Sequence, residues 1–361
     1  MMLSEQAPFT WSDFCQAYNI PNHVYAVGFN WHWRPALHRF LQGASITHVN
    51  RVEKVPDRQV AVVWGQRLMP GEGQDITLVR LEDGFLRSVG LGAEFQQPLS
   101  WVADFEHLYF SARGESRLAT LLASHHFTDS ERARAERLLQ DIRNRNISKY
   151  NLNGDDWRAP VGKEKVILVP GQVETDASIE YGCGEIRTNL GLLQQVRQQN
   201  PTAWIVYKPH PDVVAGARRV GEGEAAASDY ANEIVINAAI GPMLEQVDEV
   251  HTLTSLAGFE ALIRHKPVTC YGLPFYAGWG LTEDKVSSRR NRELHLSELA
   301  HAVLIQYPFY VSLESGMPIT PEQVLNEIQR QKVRERSWVQ GWRRLLKRSA
   351  RRAVGIIRRA P

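Results

Sequence analysis

The chain has 361 residues, 43% of them hydrophobic, so it can bury a sizeable core, and its length is typical of two domains. Its formal charge of +2 hides eight basic residues, without an acid, between Arg343 and Arg359, which leaves about −6 (2 − 8) for the rest and excludes a uniformly basic surface. The three cysteines form no CxxC pair, which excludes a disulfide framework and a zinc motif and fits a reducing compartment.

The N-terminus lacks the charged and apolar regions of a signal peptide. No uninterrupted apolar run approaches the roughly 18 residues that span a bilayer. We therefore expect a cytoplasmic protein whose basic tail is its only membrane-facing segment.

Strands and helices alternate through the first half of the chain. Short apolar runs predict strands at residues 24–28, 44–49, 59–64 and 76–81. Capping residues and helical spacing predict helices at residues 11–20, 33–41, 116–123 and 129–145. A polar, turn-rich stretch, residues 146–165, is predicted to be a linker.

The second half repeats this alternation. It predicts strands at residues 166–169, 203–207, 234–236, 249–253 and 267–271. It predicts helices at residues 187–199, 255–264, 296–306 and 321–331. The pattern indicates an α/β fold, and either a GT-B-like pair of Rossmann-like βα domains facing a central cleft or a single Rossmann-like sheet fits it equally well.

Two acidic loops follow predicted strands, one in each half. Glu82-Asp83-Gly84 follows the strand at 76–81, and Glu174 and Asp176 follow the strand at 166–169. Ligands of open α/β sheets bind beyond the carboxyl ends of the strands. Paired acids are often only turn formers, but two such loops facing each other would suit acid/base or nucleophilic work at a sugar carbon.

Lys208-Pro209-His210-Pro211 also follows a strand. Proline on both sides of His210 stiffens the backbone, so the loop presents one imidazole and one ammonium. Two such donors suit a phosphate. The alternative is a plain surface turn.

A second phosphate-binding candidate is the helix that begins near Ser255. Its N-terminus offers unpaired N–H groups and a positive partial charge, and Thr254 and Ser255 add hydroxyl donors. Glu260, one turn later, can accept a hydrogen bond from a ribose hydroxyl. The alternative is that Thr254 or Ser255 only caps the helix.

The aromatic, glycine-rich loop from Tyr271 to Gly280 is compatible with stacking on a base or sugar, or with simple packing. The tail, residues 331–361, places Trp338, Trp342 and aliphatic residues among its arginines. This pattern is typical of a basic amphipathic helix on an anionic bilayer surface. A disordered tail and a nucleic-acid contact are the alternatives.

Taken together, these motifs resemble the capsule polysaccharide Kdo transferases of the KpsC/LipA type. The matching blocks occur in order at residues 81–92, 170–173 with 176–179, 207–213, 253–262 and 268–282. The looser resemblance covers roughly residues 20–320. The capsule initiation enzyme of that family carries two such modules and this chain has one, so we expect a single linkage type.

The resemblance implies a retaining β-Kdo transferase with a GT-B-like fold. It would move Kdo from CMP-Kdo to a glycan or glycolipid acceptor at the cytoplasmic face of a Gram-negative inner membrane, without nucleic acid, cofactor or metal. Residues 1–150 would form the acceptor-side domain, and residues 151–330 the nucleotide-sugar (CMP) binding domain.

The resemblance also implies roles for single residues. Asp176 matches the nucleophile of a double displacement, and Glu82 or Asp83 matches the acid/base group. Lys208, His210 and Ser255 match the CMP-phosphate site, with Pro211 and Thr254 beside them, and Glu260 matches the ribose contact. Gln172 and Tyr271 fall in donor-side blocks, and Arg87 is placed to hold the Kdo carboxylate.

Two other functions stay open at this point. One is a GT-B transferase that uses another nucleotide sugar. The other is a non-catalytic glycan-binding factor in capsule assembly or export.

Overall fold

Two six-stranded sheets organise the protein in a computed structural model, which describes residues 7–335. The strands are, in chain order, β1 (His23–Val27), β2 (Ser45–Val49), β3 (Val60–Trp64), β4 (Thr77–Asp83), β5 (Ser100–Asp104), β6 (Val166–Pro170), β7 (Trp204–Lys208), β8 (Glu233–Ile234), β9 (Glu249–Thr252), β10 (Val268–Cys270), β11 (Glu283–Asp284) and β12 (Pro308–Tyr310).

Helices cover the faces of both sheets. They are α1 (Trp11–Tyr18), α2 (Arg34–Phe40), α3 (Arg117–Ser124), α4 (Asp129–Asn144), α5 (Ala177–Gly182), α6 (Asn189–Gln199), α7 (Pro211–Val214), α8 (Ile240–Gln246), α9 (Leu256–Ile263), α10 (Leu296–His301) and α11 (Pro321–Glu335). A π-helical segment, Ala302–Gln306, continues α10.

The first sheet has the strand order β12-β5-β4-β3-β1-β2. β1 to β4 pair in parallel, and β5 pairs antiparallel with both β4 and β12. β3 is buried except at Trp64 and reads as a continuous apolar run, as expected for a parallel strand that is covered on both faces.

The second sheet has the order β11-β10-β9-β6-β7-β8, and all of its pairs are parallel. β6 is buried along its whole length. The chain moves from β6 toward β8 on one side and from β9 toward β11 on the other. The boundary between β6 and β9 is therefore the point at which the strand order reverses.

One hydrophobic cluster joins the two sheets. It contains Val102 of β5 and Leu86 from the first sheet's side, and Leu168 of β6 and Val250 of β9 from the second sheet. The outer face of the first sheet, which includes Phe309 of β12, is packed separately against α1 and α2. The molecule is thus a mixed α/β protein, as the alternation of strands and helices predicted. Its two predominantly parallel sheets share a core, whereas the alternation alone fitted one sheet or two equally well.

The structure differs from two expectations of the sequence analysis, the domain boundary and the linker. β12 adds to the first sheet, although it falls within residues 151–330, which the sequence division gave to the second domain. The stretch 146–165, predicted to be a linker, is packed into the protein around Ile147 and Asn151. The basic tail from Arg343 to Arg359 lies outside the described residues.

Candidate active site

The candidate site lies at the carboxyl ends of β6 and β9, where the order of the second sheet reverses. Ligands of open α/β sheets bind at such a switch point. The loop after β6 must also approach the loop after β7 closely. A Cβ on Gly171 would lie 2.6 Å from the Tyr207 hydroxyl and 3.2 Å from the backbone nitrogen of His210, so only glycine fits there.

Gln172 and Thr254 connect the loop after β6 to the loop after β9 by hydrogen bonds. The Gln172 amide donates to Thr254 Oγ1 at 3.0 Å, and the Thr254 N–H donates back to Gln172 Oε1 at 2.9 Å. Thr254 Oγ1 donates to the Ser178 carbonyl at 3.3 Å. Both side chains are buried. They position the loops, whereas the sequence analysis expected them to contact the donor.

The structure separates the two acids of the first loop. Glu174 accepts hydrogen bonds from the N–H groups of Asn189 and Glu222, both at 2.7 Å, so its carboxylate ties neighbouring loops together. Asp176 caps α5 through one oxygen, which accepts the Ser178 N–H at 2.9 Å, and its side chain is exposed. Asp176 is therefore the acid that a substrate can reach.

Lys208 ends β7, and His210 caps the short helix α7, in which Pro211 is the first residue. His210 Nδ1 accepts the Asp212 N–H at 3.1 Å, so a proton on the neutral ring is carried by Nε2. Burial lowers the pKa of His210 below its ordinary value and lowers that of Lys208 to about 8. This loop therefore offers one imidazole N–H and one ammonium that readily gives up its proton.

Ser255 and Glu260 mark the start and the second turn of α9. Ser255 Oγ accepts the Ala257 N–H at 3.2 Å, as an N-cap does. Glu260 is buried, and its Oε1 accepts the Lys149 N–H at 2.7 Å. Burial raises the pKa of Glu260, although Arg264 and Lys149 oppose the shift. Glu260 thus holds the segment that carries Lys149.

The adjacent acids at the end of β4 have different surroundings. Burial, followed by the charge of Asp83, raises the pKa of Glu82 to about 8, so Glu82 holds a proton at neutral pH. Asp83 forms an ion pair with Arg87, with Arg87 Nε 2.5 Å from Asp83 Oδ2. Glu82 is therefore suited to give up a proton, whereas the carboxylate of Asp83 is paired with the Arg87 guanidinium.

Arg87 is 2% exposed, and protein groups occupy its guanidinium. It donates to Asp83, to Ser88 Oγ at 2.9 Å and to the Gln96 carbonyl at 3.2 Å. Arg87 was expected to hold the sugar carboxylate, but its N–H groups already donate to groups of the protein. These hydrogen bonds stabilise the loop after β4.

The site includes residues that sequence reasoning missed, namely Tyr109, Lys149 and Tyr150. Lys149 and Tyr150 lie in the segment that was expected to be a linker. Its turn is closed by Asn146 and Asn151, both with φ of 48°, and Asn151 donates to the Ser88 carbonyl at 3.0 Å. Asparagine tolerates this left-handed conformation, and the spacing of the two asparagines was the available signal.

Lys149 supplies a positive charge among the carboxylates. Burial lowers the pKa of its ammonium, but the surrounding groups raise this pKa by more, so the pKa lies above its ordinary value. The surrounding groups are Tyr150, Tyr109, Asp83 and Glu82. Within residues 7–335, no group accepts a hydrogen bond from Lys149 Nζ. A charged donor without an acceptor is suited to bind an anionic group of a substrate.

Asp176 and Lys149 lie within electrostatic reach of both Glu82 and His210, although two of these four side chains come from each half of the chain. Asp176 raises the pKa of Glu82, and Lys149 lowers it. The same Asp176 and Lys149 act on His210. A direct contact supports the proximity: Arg67, after β3, donates to the Thr175 carbonyl at 2.9 Å. The two acidic loops predicted from the sequence therefore belong to one site.

Tyr271 is packed in the core. Its hydroxyl lies 3.1 Å from His251 Nδ1 and donates to Gln199 Oε1 at 2.9 Å. Phe275, Tyr276 and Trp279 in the following loop are also buried. The dense aromatics of this loop therefore form packing, and the expected donor contact of Tyr271 has no accessible ring face to support it.

Within residues 7–335, none of the helices combines the length and apolar character that a membrane span needs. The same residues contain no group of three or more His, Cys, Asp or Glu side chains arranged to hold a metal ion. The expectations that the reaction uses neither metal nor cofactor stay predictions.

The geometry fits displacement at a carbon that bears a phosphate leaving group. It combines an exposed carboxylate (Asp176), a protonated acid (Glu82) and an ammonium (Lys149) with N–H groups at His210 and the start of α9 that can donate hydrogen bonds to a phosphate. Each of these groups has a defined task in such a reaction.

Comparison with known proteins gives consistent matches. The family model described as capsule polysaccharide biosynthesis protein matches residues 67–310. The capsule polysaccharide modification protein LipA of Neisseria meningitidis serogroup B is 46% identical over 284 residues, 77% of this chain and 40% of LipA. The lipopolysaccharide-processing protein LpsZ of Rhizobium meliloti is 42% identical over 240 residues, 65% of this chain and 54% of LpsZ. The chain thus spans about half the length or less of these curated relatives.

Two solved structures from Thermosulfurimonas dismutans KpsC are similar along nearly their whole length. The β-Kdo 2,7 transferase is 37% identical, with a TM-score of 0.72, and the β-Kdo 2,4 transferase is 30% identical, with a TM-score of 0.74. Each alignment covers 86% of this chain and 99% of the KpsC structure. The chain therefore belongs to the capsule polysaccharide biosynthesis protein family, together with LipA and KpsC.

Proposed function

We propose that the protein is a retaining β-Kdo transferase that moves Kdo from CMP-Kdo to a glycan or glycolipid acceptor in the synthesis of capsule or another surface polysaccharide. The observation that carries this proposal is the approach of the two halves at the hydrogen bond from Arg67 to the Thr175 carbonyl, 2.9 Å long. There Asp176 and Lys149 lie within electrostatic reach of Glu82 and His210. The two KpsC transferase structures support Kdo as the transferred sugar.

In the first step, the Asp176 carboxylate attacks the anomeric carbon of Kdo, and the bond from that carbon to the CMP phosphate breaks. Glu82 gives its proton to the departing phosphate. His210 Nε2–H, Lys208 and the N-terminus of α9 stabilise the charge of the leaving group. The products are a Kdo–Asp176 ester and CMP.

In the second step, an acceptor hydroxyl attacks the same carbon and displaces Asp176 as a carboxylate. Glu82, now ionised, takes the hydroxyl proton and returns to its starting state. Two displacements at one carbon retain its configuration. Because Glu82 serves as acid and then as base, a pKa near neutrality suits both tasks.

Lys149 replaces Arg87 in our proposal as the residue that holds the sugar carboxylate. Kdo carries its carboxylate on the anomeric carbon, beside the attacked position. Lys149 lies within electrostatic reach of Glu82 and has a charged ammonium without a hydrogen-bond acceptor in the described chain. An ammonium there also reduces the repulsion between Asp176 and an anionic sugar.

The two sheets divide the substrates in this proposal. The second sheet, with Lys208, His210 and α9, binds the nucleotide, and the first sheet brings Glu82 and receives the acceptor. This arrangement corresponds to a GT-B-like fold with a cleft between two Rossmann-like units. The shared core explains how the two units would be held together.

Intact mass spectrometry of the protein with CMP-Kdo and no acceptor tests the proposal. We expect the mass to increase by one Kdo residue, and Asp176→Ala to abolish this increase while the protein still binds CMP. CMP release without any adduct would contradict the double displacement. Absence of both CMP release and adduct would favour a transferase with another nucleotide sugar or a non-catalytic glycan-binding factor.

We also propose that the basic tail attaches the protein to the anionic cytoplasmic face of the inner membrane. The support is the sequence alone, since the tail lies outside the described residues. Deletion of residues 336–361 should move the protein from vesicles that contain anionic lipid into the supernatant. Equal sedimentation of both proteins would refute the attachment.

A further inference from the structure

Exposed aromatic side chains lie beside the carboxyl ends of the first sheet. Trp31 is 80% exposed, and Phe95 is 52% exposed. The His32 ring lies between them, with centroids 5.7 Å from Trp31 and 4.7 Å from Phe95. We call these three residues the aromatic patch. Large exposed aromatics grouped in this way mark a binding surface more often than isolated ones do.

The topology places this patch at a second switch point. In the first sheet the chain moves from β1 outward to β2 and then returns to β3 on the other side of β1. The loop with Trp31 follows β1, and Trp64, itself partly exposed, ends β3. Open α/β sheets bind ligands at such reversals, and none of the proposed donor contacts uses this one.

The sheet register connects the patch to the reacting groups. Trp64 of β3 pairs with Leu81 of β4, next to Glu82, and β1 lies on the other side of β3. A Cβ on Gly65 would lie 3.9 Å from Glu82 Oε2. Since neighbouring strands are about 4.8 Å apart, the end of β1 is roughly 10 Å from β4. A short oligosaccharide bridges that distance.

The loop that carries Trp31 is fixed before any ligand binds. Asn30 Oδ1 accepts the N–H groups of His32 at 3.1 Å and Trp33 at 3.3 Å, and Arg34 donates to the Phe29 carbonyl at 3.3 Å. A rigid loop loses little conformational entropy when a ligand binds.

The two residues that follow Phe95 are held by arginines, one of which, Arg87, also pairs with Asp83. Arg87 donates to the Gln96 carbonyl, and Arg39 of α2 donates to Gln97 Oε1 at 2.9 Å. Phe95 itself has a φ of 60°, a left-handed conformation that is rare for a bulky residue. The surrounding contacts keep a strained residue with its ring at the surface, which is more often seen at functional sites.

From these observations we propose that the aromatic patch binds a sugar unit of the acceptor glycan, adjacent to the unit whose hydroxyl attacks the anomeric carbon of Kdo near Glu82. A sugar ring presents one apolar C–H face, which stacks on an aromatic ring, while its hydroxyls stay in contact with water. The proposal rests on the proposed function because the acceptor must reach Glu82. It assigns acceptor-length preference to Trp31, His32 and Phe95.

The test compares acceptors of different length. Fluorescein-labelled Kdo monosaccharide, disaccharide and trisaccharide glycosides serve as acceptors with CMP-Kdo as donor. We expect the KM of the wild type to fall roughly tenfold as the acceptor lengthens. Trp31→Ala and Phe95→Asn should remove this gain, Trp31→Tyr should keep it, and the KM for CMP-Kdo should change less than about twofold in each.

Tyr18→Ala is the matched control. Tyr18 is 40% exposed, and its ring contacts Phe105, which follows β5. Because β5 is antiparallel to β4, Phe105 lies at the opposite edge of the sheet. The control should retain the full length dependence. Asparagine is chosen at Phe95 because it tolerates the left-handed conformation, so the loop is preserved.

Three results would overturn the assignment. The first is an unchanged dependence of KM on acceptor length in Trp31→Ala and Phe95→Asn, and the second is an equal rise in KM for acceptors of every length. The third is that the variants lose only their binding to anionic vesicles. The last would assign the patch to a membrane. If the wild type transfers Kdo to no acceptor, the proposed function fails by itself. Fluorescence polarisation with the same labelled glycosides then decides on the patch, which is supported only if Trp31→Ala weakens binding.

Discussion

Two neighbouring carboxylates, Glu82 and Asp83, acquire different properties from their partners. Arg87 pairs with Asp83 and is itself enclosed by protein. Burial, followed by the negative charge of Asp83, raises the pKa of Glu82 to about 8, and Lys149 only partly opposes this shift. The sequence analysis left the choice of acid/base residue between these two open, and their contacts favour Glu82.

We predict that Glu82→Gln slows Kdo transfer by about 10²- to 10⁴-fold, because the amide can neither protonate the departing phosphate nor take the proton of the acceptor hydroxyl. The Kdo–Asp176 ester that does form should persist in the presence of acceptor, since no base activates the acceptor hydroxyl. The pKa of an acid that is raised to about 8 leaves it protonated below that pH and ionised above it. The rate of CMP release by the wild type should therefore fall above pH 8. The pH profile of CMP release and intact mass measure both effects.

Asp83→Asn is the control for this prediction. It leaves the Arg87 charge without its partner inside the protein, which should lower the free energy of unfolding by about 3–5 kcal/mol. In Asp83→Asn the decline of CMP release should persist but begin at a lower pH, because the charge of Asp83 no longer raises the pKa of Glu82. If instead the decline disappears in Asp83→Asn and persists in Glu82→Gln, Asp83 is the acid/base residue.

Lys149→Ala should weaken CMP-Kdo binding and reduce formation of the ester by about 10²-fold, since the sugar carboxylate loses its cation. CMP lacks that carboxylate, so its affinity should not change and serves as the control. Lys149 also lowers the pKa of Glu82, so its removal should shift the decline in rate to higher pH. Equal weakening of CMP and CMP-Kdo, measured by calorimetry, would contradict the assignment.

At the scale of the elements, strand-end loops carry both the chemistry and the bonds that hold it in place. The loop after β6 contains Gln172 and Glu174, which bind other loops, and Asp176, which is exposed. These three residues within five positions thus divide between support and chemistry, and sequence pattern alone does not separate these tasks.

Glu174→Gln should destabilise the protein without removing the nucleophile. The amide retains one acceptor oxygen and cannot satisfy the N–H groups of both Asn189 and Glu222, which should cost about 1–3 kcal/mol in the free energy of unfolding. Urea denaturation measures this loss, and intact mass should still show the Kdo ester. A stable variant that forms no ester would indicate that Glu174 is the nucleophile.

The sequence predicted the parallel strands well because buried strands are continuous apolar runs between turn residues. β6 was expected at 166–169 and is Val166–Pro170. The site residues that follow such strands, including Asp176 and His210, were identified for the same reason. Lys149 was missed because it follows a helix and not a strand, and its place depends on Asn146, Asn151 and the distant Glu260.

At the scale of the whole molecule, the chain returns to its first sheet after building the second. β12 pairs with β5, and Phe309 stacks on Phe9 with ring centroids 5.3 Å apart. The Tyr307 hydroxyl donates to Asp104 of β5 at 2.8 Å. A three-residue strand that begins with proline carries no periodicity, so the sequence division at residue 150 did not anticipate this return. The C-terminal part of the chain therefore completes the sheet that carries Glu82.

Phe309→Ala tests whether this return stabilises the first sheet. Phe309 is 1% exposed and packs against Trp11 and Phe14 of α1, so truncation should lower the free energy of unfolding by about 3–5 kcal/mol. Val161→Ala, at a residue that is 99% exposed, should change it by less than about 0.5 kcal/mol. Urea denaturation compares the variants. Equal stability would mean that β12 is dispensable, and the first sheet would then be a unit that residues 1–150 complete alone.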